Sequence, residues 1–324
     1  LSEKQYQFWR DMHKRLAEKG WLFPTYPKEY GGGGLSGEQE TILLEEFRKA
    51  SVVGSFTNDF VFPTLLVWGD EHQKEALLKP LLTAEKIAFQ NFSEPNAGSD
   101  LASLQCRAVR DGDDWLITGQ KIWISGFGEP DYLFGPMLTD PDAPRHRNLG
   151  YFLVPFPSEG LTMERMDLLS GNDQSVFFFD NVRVPGDHLI GGENQGWQVT
   201  QTTLEIEHGG RGQAVPIDGA MENLLKYVKK TDREGAPLGD DPLIQQSAMS
   251  AYIDSHVNGL LNLRNLGMYR ARQEMSYEGS QTNMFGKVYR IENADRSRDI
   301  MGMYSLCGVS EPRAPFGGQP EVYQ

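Results

Sequence analysis

What most limits the fold of this chain is a double change of apolar period. From Ser2 to about Lys86 apolar residues recur at helical intervals, and from about Ile87 to Ile190 the period switches towards two. From Gly196 onward the helical spacing returns. Helices, then a compact set of short strands, then long helices cannot wind into alternating strand–helix units. That order predicts an α+β chain of three parts: an N-terminal helical domain (1–86), a middle β domain (87–192) and a C-terminal helical domain (193–324).

Local signals sharpen this division. Ser2 with Gln5, and Ser36 with Gln39, have the capping-box spacing that opens a helix. Tyr6, Trp9 and Leu16 follow the first start, and Gly20 is placed to end that helix. Ile42, Leu43 and Phe47 are expected on one face of the second. The Pro- and Gly-rich stretch from Thr25 to Gly37 reads as a loop. Its Gly31–Gly34 run is expected to be flexible rather than a phosphate cradle, because no strand–loop–helix context surrounds it. Further helical stretches cover Phe60–Trp68 and Glu71–Leu82. In the middle part, Cys106–Arg110 and Trp115–Ser125 flank a turn-rich Asp111–Asp114, as in a hairpin. Short β-rich runs follow at Tyr132–Leu138, Tyr151–Pro155, Leu161–Met166, Val176–Phe179 and Val182–Val184, predicting a small antiparallel barrel or sandwich. The last part carries helical spacing over Trp197 to about Lys230, Pro242 to about Glu274 and Phe285–Leu306. Gly209, Gly210, Gly212 and Pro216 are expected to interrupt the first of these.

Composition removes several function classes. A formal charge of −14 argues against nucleic acid, which is bound by clustered Lys and Arg. No apolar run approaches the ~18 residues of a membrane span. Two distant cysteines, Cys106 and Cys307, give no disulfide framework and favour a reducing, cytoplasmic setting. The six histidines are scattered, so no metal site is expected. The basic loop Asp140–Asn148, with Arg145, His146 and Arg147, reads as a surface hairpin, contact with the phosphates of a ligand being the alternative.

Two segments carry the chemistry. Phe89-Gln90-Asn91-Phe92-Ser93-Glu94-Pro95-Asn96-Ala97-Gly98-Ser99-Asp100 reads as a strand ending in a small polar turn. Such a turn offers backbone N–H groups and the Ser93 and Ser99 hydroxyls to a planar or anionic ligand. It lacks the Lys-Ser/Thr of a P-loop and the glycine set of a dinucleotide fingerprint. In Gly119-Gln120-Lys121-Ile122-Trp123-Ile124-Ser125-Gly126, a strand Trp beside a Ser suits a wall for a flat aromatic cofactor, although core packing is the commoner fate of such a Trp.

Taken in order, these two segments resemble the acyl-CoA dehydrogenase family. So do Pro27-Lys28-Glu29-Tyr30-Gly31-Gly32, Phe179-Asp180-Asn181-Val182-Arg183-Val184-Pro185 and Gly192-Glu193-Asn194-Gln195-Gly196-Trp197, and the resemblance runs along essentially the whole chain. It implies FAD as cofactor, an acyl-CoA thioester as substrate and an electron-transfer flavoprotein as acceptor. It further implies that Gln90, Phe92, Ser93, Gly98, Ser99, Trp123, Ile124 and Ser125 contact FAD, with Phe92 and Ser93 at the pyrimidine edge, Trp123 over one face and Ser125 near N5. Ser99 would also help to place the CoA arm. Arg233 and the segment Ile300–Met303, with Gly302, resemble parts that reach a neighbouring subunit's FAD, so a homodimer or homotetramer is implied, a hetero-oligomer being the alternative.

The implied reaction removes an α-proton, for which a carboxylate beside an acyl chain is well suited as base. Thr202-Thr203-Leu204-Glu205-Ile206-Glu207-His208-Gly209-Gly210-Arg211 resembles the family's Leu-x-x-Glu-Arg helix and makes Glu207 the candidate base. Glu205, His208 and Arg211 would then lie along the thioester and CoA path. His208 stands where relatives usually carry Arg. Relatives continue past the position of Gln324 through a further helix and loop, where a second candidate Glu would lie. Two other functions stay open on the same fold: a flavin oxidase or monooxygenase, and a non-catalytic partner subunit.

Overall fold

The structure, a computed structural model, describes residues 2–50, 52–169, 173–207, 218–233 and 235–306. Two compact units emerge, Leu1–Ile206 and Glu207–Gln324.

The first unit opens with α1 (Glu3–Glu18), whose start carries the expected reciprocal Ser2–Gln5 cap. The helix α2 (Gly37–Lys49) begins with the same device, Ser36 accepting from Gln39 N and Gln39 Oε1 accepting from Ser36 N. Its Ile42 stays exposed, so the apolar face expected there is incompletely covered. Next come the buried α3 (Val61–Trp68) and a longer helical run. That run is built from α4 (Glu71–Gln73), a π-helical turn (Lys74–Leu78) and α5 (Lys79–Leu82). Between α1 and α2 the glycine run is tightly packed, which corrects the expectation of a flexible loop. A Cβ on Gly33 would sit 2.0 Å from the Gly20 carbonyl oxygen, and Gly33 N donates to Phe23 O.

The strands are β1 (Ala88–Gln90), β2 (Arg107–Asp111), β3 (Asp114–Ser125), β4 (Tyr132–Leu138), β5 (Leu149–Pro155), β6 (Leu161–Asp167), β7 (Asp173–Val184) and β8 (Leu189–Ile190). They form one sheet in the order β6-β7-β3-β2-β4-β5-β8, with β1 joined to β4. Most pairings are antiparallel, but β1 and β2 both run parallel to β4, so the sheet is mixed. The reason is topological. Between β2 and β4 the chain reverses twice, once in the β2–β3 hairpin and once between β3 and β4, so β2 and β4 run the same way. One edge of β4 is therefore shared: Ala88–Gln90 pair with Tyr132–Phe134, and Arg107 pairs with Leu138 at the far end. Residues 91–106 leave the sheet between these two attachments.

Two apolar cores hold this unit. In one, Phe62, Leu65, Leu78, Leu81 and Leu82 of the helices pack on Phe92, Phe134, Tyr151 and Leu153. In the other, Ile117, Ile124, Phe152, Phe177 and Val182 fill the space within the sheet. The helix α6 (Gly196–Glu207) adds Val199 to the first core.

The second unit contains α7 (Gly219–Lys230), a two-stranded ribbon of β9 (Asp232–Arg233) and β10 (Ala236–Pro237), then α8 (Pro242–Arg270) and α9 (Glu278–Met301). Met221, Leu224, Tyr227, Leu238, Ala251, Ile300 and Met301 make its core. The α8–α9 seam is largely polar: Asn265 donates to Thr282 Oγ1 at 3.0 Å, and Arg296 pairs with Asp254. Consequently many apolar side chains of the two helices point outward, among them Met249, Ile253, Leu260, Met284, Val288 and Ile291.

Candidate active site

The excursion from β1 to β2 brings the two chemistry-bearing segments together. Ile122 N donates to Ser93 O at 2.9 Å, so the turn after β1 lies directly beside the end of β3. Beneath this contact is a buried ion pair. Lys121 Nζ lies 2.9 Å from Glu94 Oε1, 3.0 Å from Pro136 O and 3.2 Å from Phe92 O, which uses all three ammonium protons. Glu94 also accepts from Gln105 N at 2.6 Å and Cys106 N at 2.9 Å. Both side chains are buried. The pair ties the turn, β3 and β4 into one block; both residues lie in the two segments that carry the resemblance, but the sequence pattern gives no sign that they pair. The Cys106 thiol beside them is pushed up to about 11 by burial, so it is inert as a nucleophile at neutral pH.

Trp123 is the most unusual residue of the region. The β3–β7 register shifts between Lys121 and Ile124, and Trp123 takes φ +63°. A left-handed backbone at a bulky residue is rare, and bulges that re-aim side chains cluster at functional sites. Here the bulge leaves the indole 53 % exposed while Ile124 is buried. Ser125 follows on the exposed side and accepts from Gln174 Nε2 at 3.2 Å. Gln174, another residue without a sequence signal, therefore orients the Ser125 hydroxyl.

On the turn, Phe92 is buried, and Gln90 and Ser93 are half-buried. Gln90 N donates to Asn58 Oδ1 at 2.8 Å. Gly98 and Ser99 are exposed, and a Cβ on Gly98 would meet nothing within 4 Å. Asp100 pairs with Arg145 of the basic loop, and His146 of that loop stacks on Trp197 at 4.4 Å. That loop is thus docked against the Ser99–Asp100 turn and the start of α6.

An exposed indole, the neighbouring Ser93 and Ser125 hydroxyls and an open Gly98 fit a flat ring system with a polar edge. Glu205 is exposed on α6, and Glu207, also exposed, is its last residue. His208 and Arg211 lie outside the described residues. In the second unit, Arg233 Nη2 donates to the Ile300 carbonyl, and Gly302 (φ +59°) would place a Cβ 3.8 Å from that nitrogen. Arg233 and the Ile300–Gly302 segment are therefore together.

Comparison with known proteins decides what this arrangement belongs to. The sequence matches the acyl-CoA dehydrogenase N-terminal domain over residues 1–85, the middle domain over 90–182 and the C-terminal domain over 194–316. It is 32% identical over 320 residues to the acyl-CoA dehydrogenase IpdE1 of Mycobacterium tuberculosis, spanning 97% of this chain and 80% of that one. The chain belongs to the acyl-CoA dehydrogenase family. Among solved structures, it resembles the Tcur3481-Tcur3483 steroid ACAD with TM-score 0.85 and 29% identity, covering 97% of this chain and 80% of that one. The ChsE4-ChsE5 complex from Mycobacterium tuberculosis gives TM-score 0.84 and 28% identity, over 99% of this chain and 85% of that one. As an acyl-CoA dehydrogenase, the protein is an FAD-binding oxidoreductase that acts on acyl-CoA. Among the described residues, no helix is long and apolar enough to cross a membrane, and no group of His, Cys, Asp or Glu side chains is arranged to hold a metal ion.

Proposed function

We propose that this acyl-CoA dehydrogenase converts a saturated acyl-CoA thioester to the trans-2-enoyl-CoA, with Glu207 taking the α-proton. The exposed Trp123 on its bulged strand is the observation that carries the reading, because a bulky residue held at φ +63° beside the Ser93 turn is backbone strain of the kind that functional sites retain. FAD, when bound, supplies the acceptor for the β-hydride. Trp123 would wall its ring, Phe92 and Ser93 would meet the pyrimidine edge, and Ser125 would donate near N5. Gln90, Gly98, Ser99 and Ile124 would complete the first copy's contacts, while Arg233 and Gly302 would serve a neighbouring subunit's cofactor.

For the protein itself the chemical task is to hold the thioester so that its α-carbon meets a carboxylate. Glu207, at the end of α6, would do so, with Glu205, His208 and Arg211 along the thioester path. Ser99 would position the CoA arm. Arg145, held by Asp100, keeps the basic loop beside that turn, which supports the loop as the neighbour of the CoA phosphates.

The likeness to a steroid-acting relative supports a bulky acyl group, and the apolar side chains facing outward on α8 and α9 support an oligomer. Homo-oligomer and hetero-oligomer are separated by mass measurement of the purified protein alone. The reaction is tested with Glu207→Gln, for which turnover should fall on the order of 10²–10⁴-fold with flavin content unchanged. Retained turnover would remove Glu207 as base. A panel of linear, branched and ring-bearing acyl-CoAs scored by flavin bleaching identifies the substrate. Stoichiometric peroxide in that assay would favour the oxidase. Electron-transfer flavoprotein is the expected acceptor.

A further inference from the structure

A chain of buried hydroxyls runs from β5 through α6 to α3. The Tyr151 hydroxyl lies 3.0 Å from Thr203 Oγ1, and Thr203 Oγ1 lies 2.8 Å from Thr64 Oγ1. Thr64 in turn donates to the Phe60 carbonyl at 3.1 Å. All three side chains are fully buried. Each hydroxyl carries one proton, and one arrangement that satisfies all three runs Tyr151 to Thr203, Thr203 to Thr64 and Thr64 to Phe60, with the Val199 carbonyl of α6 a second, longer acceptor for Thr203 at 3.4 Å. One residue earlier, Trp68 Nε1 donates to Thr202 Oγ1 at 2.9 Å, a second tie between α3 and α6.

Apolar side chains would fill this seam equally well but would let α6 roll. Directed hydrogen bonds in a dry seam fix its rotation: each threonine keeps an acceptor in its own helix, but a roll of α6 breaks the bonds that Thr203 makes to Tyr151 and Thr64 across the seam. Tyr151 has a second neighbour: its ring meets Phe92 edge-on, at 6.1 Å and 89°. One tyrosine thus touches both the turn of the candidate cofactor site and the helix that ends in Glu207. Thr203 and Glu207 are four residues apart on α6 and so share a face.

We propose that Tyr151 and Thr203 are positioning residues for proton abstraction, setting the rotation of α6 and hence the carboxylate at its end. This rests on the reading of Glu207 as base. A side-chain tip lies about 5–6 Å from a helix axis, so a roll of about 10° displaces it by about 1 Å. Such a displacement costs up to about a hundredfold in rate.

The test uses the FAD-loaded full chain. Thr203→Val keeps the shape and removes the hydroxyl, Tyr151→Phe keeps the ring against Phe92, and Thr203→Ser restores the donor. Three quantities are measured: flavin per protein, kcat and KM, and the rate at which solvent deuterium enters the substrate α-carbon. The proposal expects Thr203→Val and Tyr151→Phe to lower kcat and α-deuterium exchange together, by about ten- to a hundredfold. KM should stay within about twofold, flavin content should be normal, and Thr203→Ser should recover most of the loss. If exchange in Thr203→Val equals that of the parent, or falls only in step with lost flavin, the proposal is overturned while Glu207 stands. If Glu207→Gln keeps both turnover and exchange, the base assignment falls, and this proposal falls with it.

Discussion

Replacing Lys121 by Met is the sharpest perturbation that the site offers. The change keeps a long unbranched chain in a fully buried position and removes only the charge and its three donors. Glu94 would then be left buried with the N–H groups of Gln105 and Cys106 but no cation, and the carbonyls of Phe92 and Pro136 would lose a donor. Breaking a buried pair from one side costs about 3–5 kcal/mol, a large share of the roughly 5–15 kcal/mol that stabilises a typical domain. For a unit the size of Leu1–Ile206 this corresponds to a melting point lowered by roughly 6–20 °C. Urea unfolding of the apo-protein, followed by tryptophan fluorescence, should show the midpoint falling with an unchanged slope. Adding Glu94→Gln removes the orphaned charge and should recover part of the loss, giving a positive coupling in the double-mutant cycle. Because the pair holds the Ser93 turn against β3, flavin content should fall in the single variant and recover partly in the double. A loss below about 1 kcal/mol for Lys121→Met, or strictly additive losses, would refute this account of the pair.

Three other outcomes follow from the geometry. Trp123→Ala should lower flavin retained after dialysis severalfold while apo-protein stability shifts by no more than about 0.5 kcal/mol, since the indole is half exposed and buries little. Gly126→Ala would set a Cβ 2.2 Å from Cζ of the buried Phe89 and should destabilise by about 1–3 kcal/mol in urea titration. Burial pushes the His13 imidazole below its usual 6.5, with its Nε2 2.9 Å from the Val53 carbonyl and its ring against Phe56. The unfolded chain therefore takes up the proton first as pH falls. The stability that this group contributes is complete above about 6.5 and is lost as pH drops through the window down to the lower folded value. His13→Gln, which cannot titrate, should show a shallower fall of melting temperature between pH 7 and 5.

The parts of the fold readable in the sequence are those set by local physics. Ser2–Gln5 and Ser36–Gln39 cap their helices because the side chain and the N–H it satisfies lie within one turn. The Asp111–Asp114 hairpin forms because its turn chemistry is equally local. What was not readable depends on partners distant in the chain. The parallel joining of β1 and β2 to β4 depends on pairings such as Ala88 with Tyr132 and Arg107 with Leu138, which lie far apart in the chain. The packed glycine run depends on Gly20 meeting Gly33. In the candidate site, the two motifs were visible as residue types, whereas the Lys121–Glu94 lock, the support of Ser125 by Gln174 and the outward turn of Trp123 arise only when β1, β3, β4 and β7 assemble. Ile42 shows the converse: helical spacing marks a face as apolar without saying what will cover it.

The shared edge of β4 has a mechanical consequence. The sheet is anchored on both flanks of residues 91–106, so a strain arising within that excursion is borne by two pairings on β4 and does not slip either strand past its neighbour. Both ends of the excursion are fixed to one strand, so the turn that carries Ser93 is held at a set height along β4, like a span pinned at its two piers.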